Sequence, residues 1–106
     1  MAWACLFAAG VLEIVWAFFM KRSAGFSLIT PTAITVGTMI ASFSLLGVAM
    51  KTLPLGTAYM VWTGIGAIGA FVVGIFVLGE SVTLARIVAA LLITGGILTM
   101  KLGSPT

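Results

Sequence analysis

Histidine is absent from this chain, cysteine occurs once, and aspartate and glutamate together occur twice in 106 residues. With no imidazole and a single thiol there is no Cys/His metal-ligand pattern, and Cys5 has no second thiol for an intrachain disulfide. Cys5 therefore says nothing about redox compartment and reads as a small apolar residue near a membrane surface. No nucleophile–base pair and no phosphate-binding loop is found, so neither an enzyme nor a cofactor is expected. Charged residues of both signs make up 7% of the chain, too few to solvate a water-soluble domain of this size. The five basic residues give a net charge of +3, but they sit at expected helix ends, where lipid headgroups accept them. That distribution does not point to nucleic acid.

What the chain has instead is apolar length. Its hydrophobic fraction is 62%, and about 20 residues at roughly 1.5 Å each cross the hydrocarbon core, so there is length for four spans with short loops. The expected fold is an all-α membrane protein, one four-helix domain over residues 1–106, with helices near 2–20, 30–50, 56–78 and 84–102. The first run is not expected to be a signal peptide. It lacks a basic start, carries Glu13 inside the apolar segment, and runs into Lys21-Arg22 without a small-residue cleavage site.

Glu13 is the only charge in the run from Met1 to Met20. Near mid-depth its short side chain cannot snorkel to water, and an intramembrane carboxylate marks function by default. Gly10 and Trp16 stand one helical turn to either side, on the same face. The glycine is expected to leave room beside the acid, and the indole to form an aromatic wall.

The breaks follow from turn chemistry. Lys21 and Arg22 end the first helix, and Gly25 suits a cap or turn. Thr30-Pro31 is expected to start the second, with Thr30 as N-cap. Its hydroxyls (Thr32, Thr35, Thr38, Ser42, Ser44) can bond back to their own helix, although mid-span Ser42 can also meet a polar partner on another helix. Lys51 to Gly56 forms the next break. In the third helix, Tyr59, Trp62, Thr63 and Gly66 recur at three- or four-residue steps along one face. Gly64 and Gly66 permit either a hinge or a close backbone approach, and Gly66, Ala70 and Gly74 form a small-residue ridge for helix packing. Glu80 reads as a solvated end charge, with Ser81 or Thr83 capping the fourth helix. The fourth helix has no ionisable group in its middle, and Ala89, Ala90, Gly95 and Gly96 suit helix–helix contact, which assigns it to assembly. Gly103 to Thr106 reads as a short polar tail.

With four spans, Lys21, Arg22 and Arg86 lie on one side of the bilayer, and Lys51, Lys101 and the terminal amine on the other. So small a bias fixes no single orientation. An antiparallel homodimer becomes possible, and two oppositely inserted copies make an inverted repeat around a midplane site. Such a dimer brings two copies of Glu13 together. A cation arriving there displaces protons, and competition for one site exposed to one side at a time is a mechanism for antiport. Trp and Tyr faces favour a cationic substrate. The structural alternative is that Trp16, Tyr59 and Trp62 are lipid-facing or interfacial anchors, as Trp3 reads.

These residues resemble the small multidrug resistance family over essentially the whole chain. The likeness is carried by four short helices, the lone acid of the first, the lead-in Lys51-Thr52-Leu53-Pro54-Leu55-Gly56-Thr57 and the stretch Ala58-Tyr59-Met60-Val61-Trp62-Thr63-Gly64-Ile65-Gly66. Within it, Gly10-x-x-Glu13-x-x-Trp16-Ala17 is similar to the guanidinium-exporting subtype, since the broad multidrug subtype has a small residue at the place of Trp16. The resemblance implies an antiparallel, dual-topology dimer in the bacterial inner membrane that exchanges guanidinium for protons. It implies that Glu13 binds both proton and substrate, that Trp16 and Ser42 hydrogen-bond to the acid, and that Tyr59 and Trp62 shape the pocket. By the same likeness Met39 and Phe43 line a lateral opening, Thr63 adds to the lining, Gly64-Ile65-Gly66 bends the third helix, and the fourth makes the dimer contact. Guanidinium is planar and pairs bidentately with a carboxylate; substituted guanidines and small quaternary ammonium ions are further candidates. The competing readings are a broad-specificity exporter of bulky cations, a small oligomeric cation channel, and a structural subunit whose acid pairs with a partner's base.

Overall fold

Each apolar run forms one helix of membrane-crossing length. The computed structural model describes residues 1–103, with α1 Ala2–Arg22, α2 Ile29–Ala49, α3 Leu55–Phe76 and α4 Leu84–Leu102. Their 19 to 22 residues correspond to about 28–33 Å of helix, the thickness of a hydrocarbon core. No strand occurs among the described residues. The polar tail expected at the C-terminus lies, from residue 104 onward, outside them.

The helix ends differ from expectation by one or two residues, for local reasons. α2 begins at Ile29 with Leu28 as its N-cap, so Thr30 lies inside the first turn and caps nothing. The start is set upstream: the Ser23 carbonyl accepts from both Ser27 N and Leu28 N, at 3.0 and 3.1 Å, and the chain leaves that turn extended at Leu28. Within the turn, Ala24, Gly25 and Phe26 all adopt positive φ, which is strained for the two that carry a side chain. Ser23 holds them. Fully buried, it donates from Oγ to the Met20 carbonyl at 2.7 Å and accepts from Phe26 N at 3.0 Å. α3 ends at Phe76 because Gly79, in the left-handed region, turns the chain back so that Glu80 N reaches the Gly74 carbonyl at 2.9 Å. The start of α4 matches its expected cap: Thr83 Oγ1 accepts from Arg86 N at 3.2 Å.

α1 is the central element. It packs antiparallel to α2 and parallel to α3, and α4 packs mainly against α3. The result is a slab of Cα extents 43 × 34 × 16 Å. Close approach of α1 and α3 is made possible by glycines. A Cβ on Gly10 would lie 2.8 Å from Ile65 Cβ, and one on Gly69 would overlap the Ile14 side chain. Gly10 thus makes room for α3 and not, as expected, for the acid. The buried core (Leu6, Ala9, Leu46, Ala49, Ala58 and Val61 with Trp62) gathers at the end where α1 begins and α2 meets α3. At that end Lys101 Nζ also lies 4.8 Å from the Trp3 ring centre, a cation–π contact across the slab. Beyond Gly10, α1 has no fully buried side chain, and this looser half holds Glu13.

Candidate functional site

Glu13 sits eleven residues into the 21-residue α1, about 16 Å along its axis and so near mid-depth. It faces α3 at Gly66. A Cβ on Gly66 would fall on the Glu13 carboxylate, and 2.7 Å from its Cγ, so the missing side chain is what gives the acid its place. Glu13 Oε1 and Trp16 Nε1 are both buried, and neither has a hydrogen-bond partner among the described residues. Buried polar atoms are nearly always satisfied, so two orphans one turn apart on one helix mark a place where a further partner belongs.

The hydrogen bonds implied from Trp16 and Ser42 to the acid are not made within this chain. Ser42 is fully buried and donates instead to the Ala9 carbonyl of α1 at 2.7 Å, while Trp62 Nε1 of α3 donates to Ser42 Oγ at 3.0 Å. One hydroxyl therefore joins α1, α2 and α3. The hydroxyls of Thr32, Thr35, Thr38 and Ser44 bond back within their own helix or its lead-in, as with Thr35 to Pro31 at 2.8 Å. Ser42→Ala removes the acceptor of a buried indole N–H and is expected to cost about 1–3 kcal/mol. Thermal unfolding in detergent checks it; an unchanged transition temperature would show the three-helix tie to be dispensable.

Trp62 also anchors an aromatic row. Trp16 meets Phe43 edge-on with centroids 6.3 Å apart, Phe43 meets Trp62 at 5.6 Å, and Trp62 meets Tyr59 at 5.6 Å. Such offset and edge contacts fix ring orientation. Phe43 is thus a link between the two indoles, about half exposed, and Met39 is half-buried one turn earlier. Thr63 is placed elsewhere. With Tyr59, Gly64, Gly96 and Met100 it lines an apolar groove of about 370 Å³ between α3 and α4, which neither Glu13 nor Trp16 reaches.

α3 runs unbroken through Gly64 and Gly66, and both glycines serve close approach. A Cβ on Gly64 would lie 3.0 Å from Ile97 Cγ1 of α4, and Gly66 accommodates Glu13. The ridge read as Gly66, Ala70 and Gly74 is in effect Gly66 and Gly69 against α1; the space at Gly74 is taken by the Glu80 carboxyl group. Glu80 is exposed and pairs with Arg86 at 3.6 Å. No residue of α4 is buried, and beside Gly95 and Gly96 there is open space. Two contributions were not legible in the sequence: the Ala9 carbonyl, since any residue carries one, and Gly69, whose signal was its three-residue spacing from Gly66. No cluster of metal-ligating side chains occurs among the described residues.

Four membrane-length helices with an acid at mid-depth define a small multi-pass membrane protein. Residues 1–93 match the family described as Small Multidrug Resistance protein, and the chain belongs to the small multidrug resistance family. It is 56% identical over 104 residues to a guanidinium exporter of Yersinia pseudotuberculosis, covering 98% of this chain and 100% of that one. The guanidinium exporters of Salmonella typhimurium (strain LT2) and Citrobacter freundii are 52% and 51% identical over 104 residues, each covering 98% of this chain and 99% of the relative. These relatives are exporters, not enzymes. Membership together with four apolar helices makes the chain a multi-pass protein of the bacterial inner membrane.

Proposed function

We propose that the chain exports guanidinium in exchange for protons, working by alternating access as an antiparallel homodimer inserted in both orientations. The observation that carries this reading is the buried, unpartnered Glu13 Oε1 opposite Gly66. A carboxylate is a bidentate acceptor for a planar guanidinium, and a proton and a cation compete for the same oxygens. Relatives named guanidinium exporters over nearly the full chain support the choice of cation. In this reading Trp16, Phe43 and Trp62 wall the substrate, Ser42 fixes Trp62, Met39 lies at the lateral opening, and Tyr59 sits at the outer end of the aromatic row. The Gly64–Gly66 pair is the place where α3 bends when the site changes sides.

A second copy is the partner we infer for this face. Glu13 Oε1 and Trp16 Nε1 find no hydrogen-bond partner among the described residues of one copy, and a second copy can face them. The unburied face of α4, with Gly95 and Gly96, is available for the contact between copies. Near-equal basic charge at the two ends lets both orientations insert.

Guanidinium binding to the purified protein, followed by tryptophan fluorescence, is expected to weaken as pH falls, approaching about tenfold per pH unit where one proton must leave for each cation bound. Affinity independent of pH from 6 to 9 would remove the shared site. For topology, a thiol placed by Ser81→Cys in a Cys5→Ser background is expected to label from both sides of the membrane; strictly one-sided labelling rejects the antiparallel dimer.

A further inference from the structure

The α1–α3 interface carries a second groove, away from the aromatic row, that the transport reading does not use. It has a volume of about 310 Å³ and runs from the membrane surface at Lys21, Glu80 and Arg86 down between α1 and α3. Its walls are apolar: Ile14, Ala17 and Phe18 from α1, Ala70 and Phe71 from α3. From Lys21 to Ile14 it descends seven residues, about 10 Å toward the midplane.

Two basic groups, Lys21 and Arg86, line its mouth with one acid, Glu80, and a third, Arg22, stands over the wall residue Phe18. Lys21 is exposed at the end of α1 and makes no ion pair among the described residues. Arg22 is held above the groove wall, its guanidinium carbon 5.2 Å from the Phe18 ring centre. Arg86 is fixed in place, donating from one terminal nitrogen to the Ser81 carbonyl at 2.7 Å and facing Glu80 at 3.6 Å with the other. The single Glu80 charge offsets one of the three, so the mouth keeps a positive surplus at headgroup depth. A positive mouth on an apolar slot is complementary to a molecule with an anionic head and a hydrocarbon tail.

We propose that this groove seats an anionic phospholipid, its phosphate between Lys21 and Arg86 and one acyl chain lying between α1 and α3. A free phosphate would use the mouth and leave the apolar walls uncovered. A zwitterionic lipid would fill the walls, but its own cation would face Lys21 and Arg22. The bound chain seals the face of the α1–α3 interface behind Ile14, the neighbour of Glu13.

The test is native mass spectrometry of the full-length protein titrated with dioleoylphosphatidylglycerol or dioleoylphosphatidylcholine, with inorganic phosphate as competitor. Wild type is expected to retain the phosphatidylglycerol adduct preferentially. Lys21→Gln should weaken it about fivefold, the contribution of one basic residue at an anionic surface. Ala70→Leu keeps every charge but fills the slot, and it should weaken the adduct as well. Lys51→Gln, at the opposite membrane face, should not. Circular dichroism and size-exclusion profiles establish that each variant is folded, and Lys21→Gln tests the mouth without touching the Arg86–Glu80 pair. Equal retention of the two lipids overturns the proposal, as does equal weakening by Lys51→Gln. Displacement of the lipid by phosphate with no effect of Ala70→Leu would make the mouth a phosphate site and the lipid assignment wrong.

Discussion

Gly66→Ala is expected to reduce guanidinium exchange by roughly tenfold to a hundredfold, the loss of a charge-assisted pair worth about 1.5–3 kcal/mol. The new methyl group would occupy the position of the Glu13 carboxylate and lie 2.7 Å from its Cγ. Backbone separation of α1 and α3 is resisted by their tight contacts at Gly10 and Gly69, so the mobile part is the Glu13 side chain. It rotates away, and the oxygens that should receive the substrate leave their place beside Trp16. Gly69→Ala is the matched control. It also forces a methyl toward α1, but there it meets the flexible end of Ile14 and leaves the acid where it is. Exchange of labelled guanidinium in proteoliposomes with equal amounts of protein separates the two. Wild-type exchange by Gly66→Ala would mean that Glu13 does not work from the position opposite Gly66.

Glu13→Gln is expected to abolish exchange driven by a pH gradient. The carboxamide keeps the size of the side chain and still suits the niche at Gly66, so packing is preserved. It loses both the charge that holds a cation in a low-dielectric setting and the site that takes up a proton. Because the two functions reside on one group, both go together, and a slow uncoupled leak is the most that remains. Guanidinium uptake with and without an opposing pH gradient measures this. Persistent proton-driven uptake in Glu13→Gln would take the acid out of the coupling step.

Much of the fold was legible because a bilayer restricts what a chain can do. Apolar length gave the four helices, and turn residues placed their ends to within about two positions. The misses at those ends have local causes: the start of α2 is set by the Ser23 turn and not by Thr30, and α3 stops at the left-handed Gly79. At the site, helical spacing put Gly10, Glu13 and Trp16 on one face, since periodicity governs residues within a helix. It does not say which residue of another helix stands opposite. That is why the room for the acid was sought at Gly10 and is found at Gly66, and why Ser42 bonds Ala9 and Trp62 in place of Glu13. Thr63 shares its helical face with Trp62 in broad terms, yet the interface between α3 and α4 falls between them. Family likeness spans the chain, but it is carried by sequence and does not say which atoms meet across an interface.

The central claim is that this chain alone couples guanidinium to protons through Glu13. It is tested most directly by guanidinium movement in proteoliposomes that hold only this protein, with guanidinium initially equal on both sides and a pH gradient imposed. The account predicts that guanidinium accumulates on the acidic side, against its own developing gradient, and that Glu13→Gln does not accumulate it. Equilibration at the same rate whether or not the pH gradient is present would contradict the account and describe a passive cation path instead.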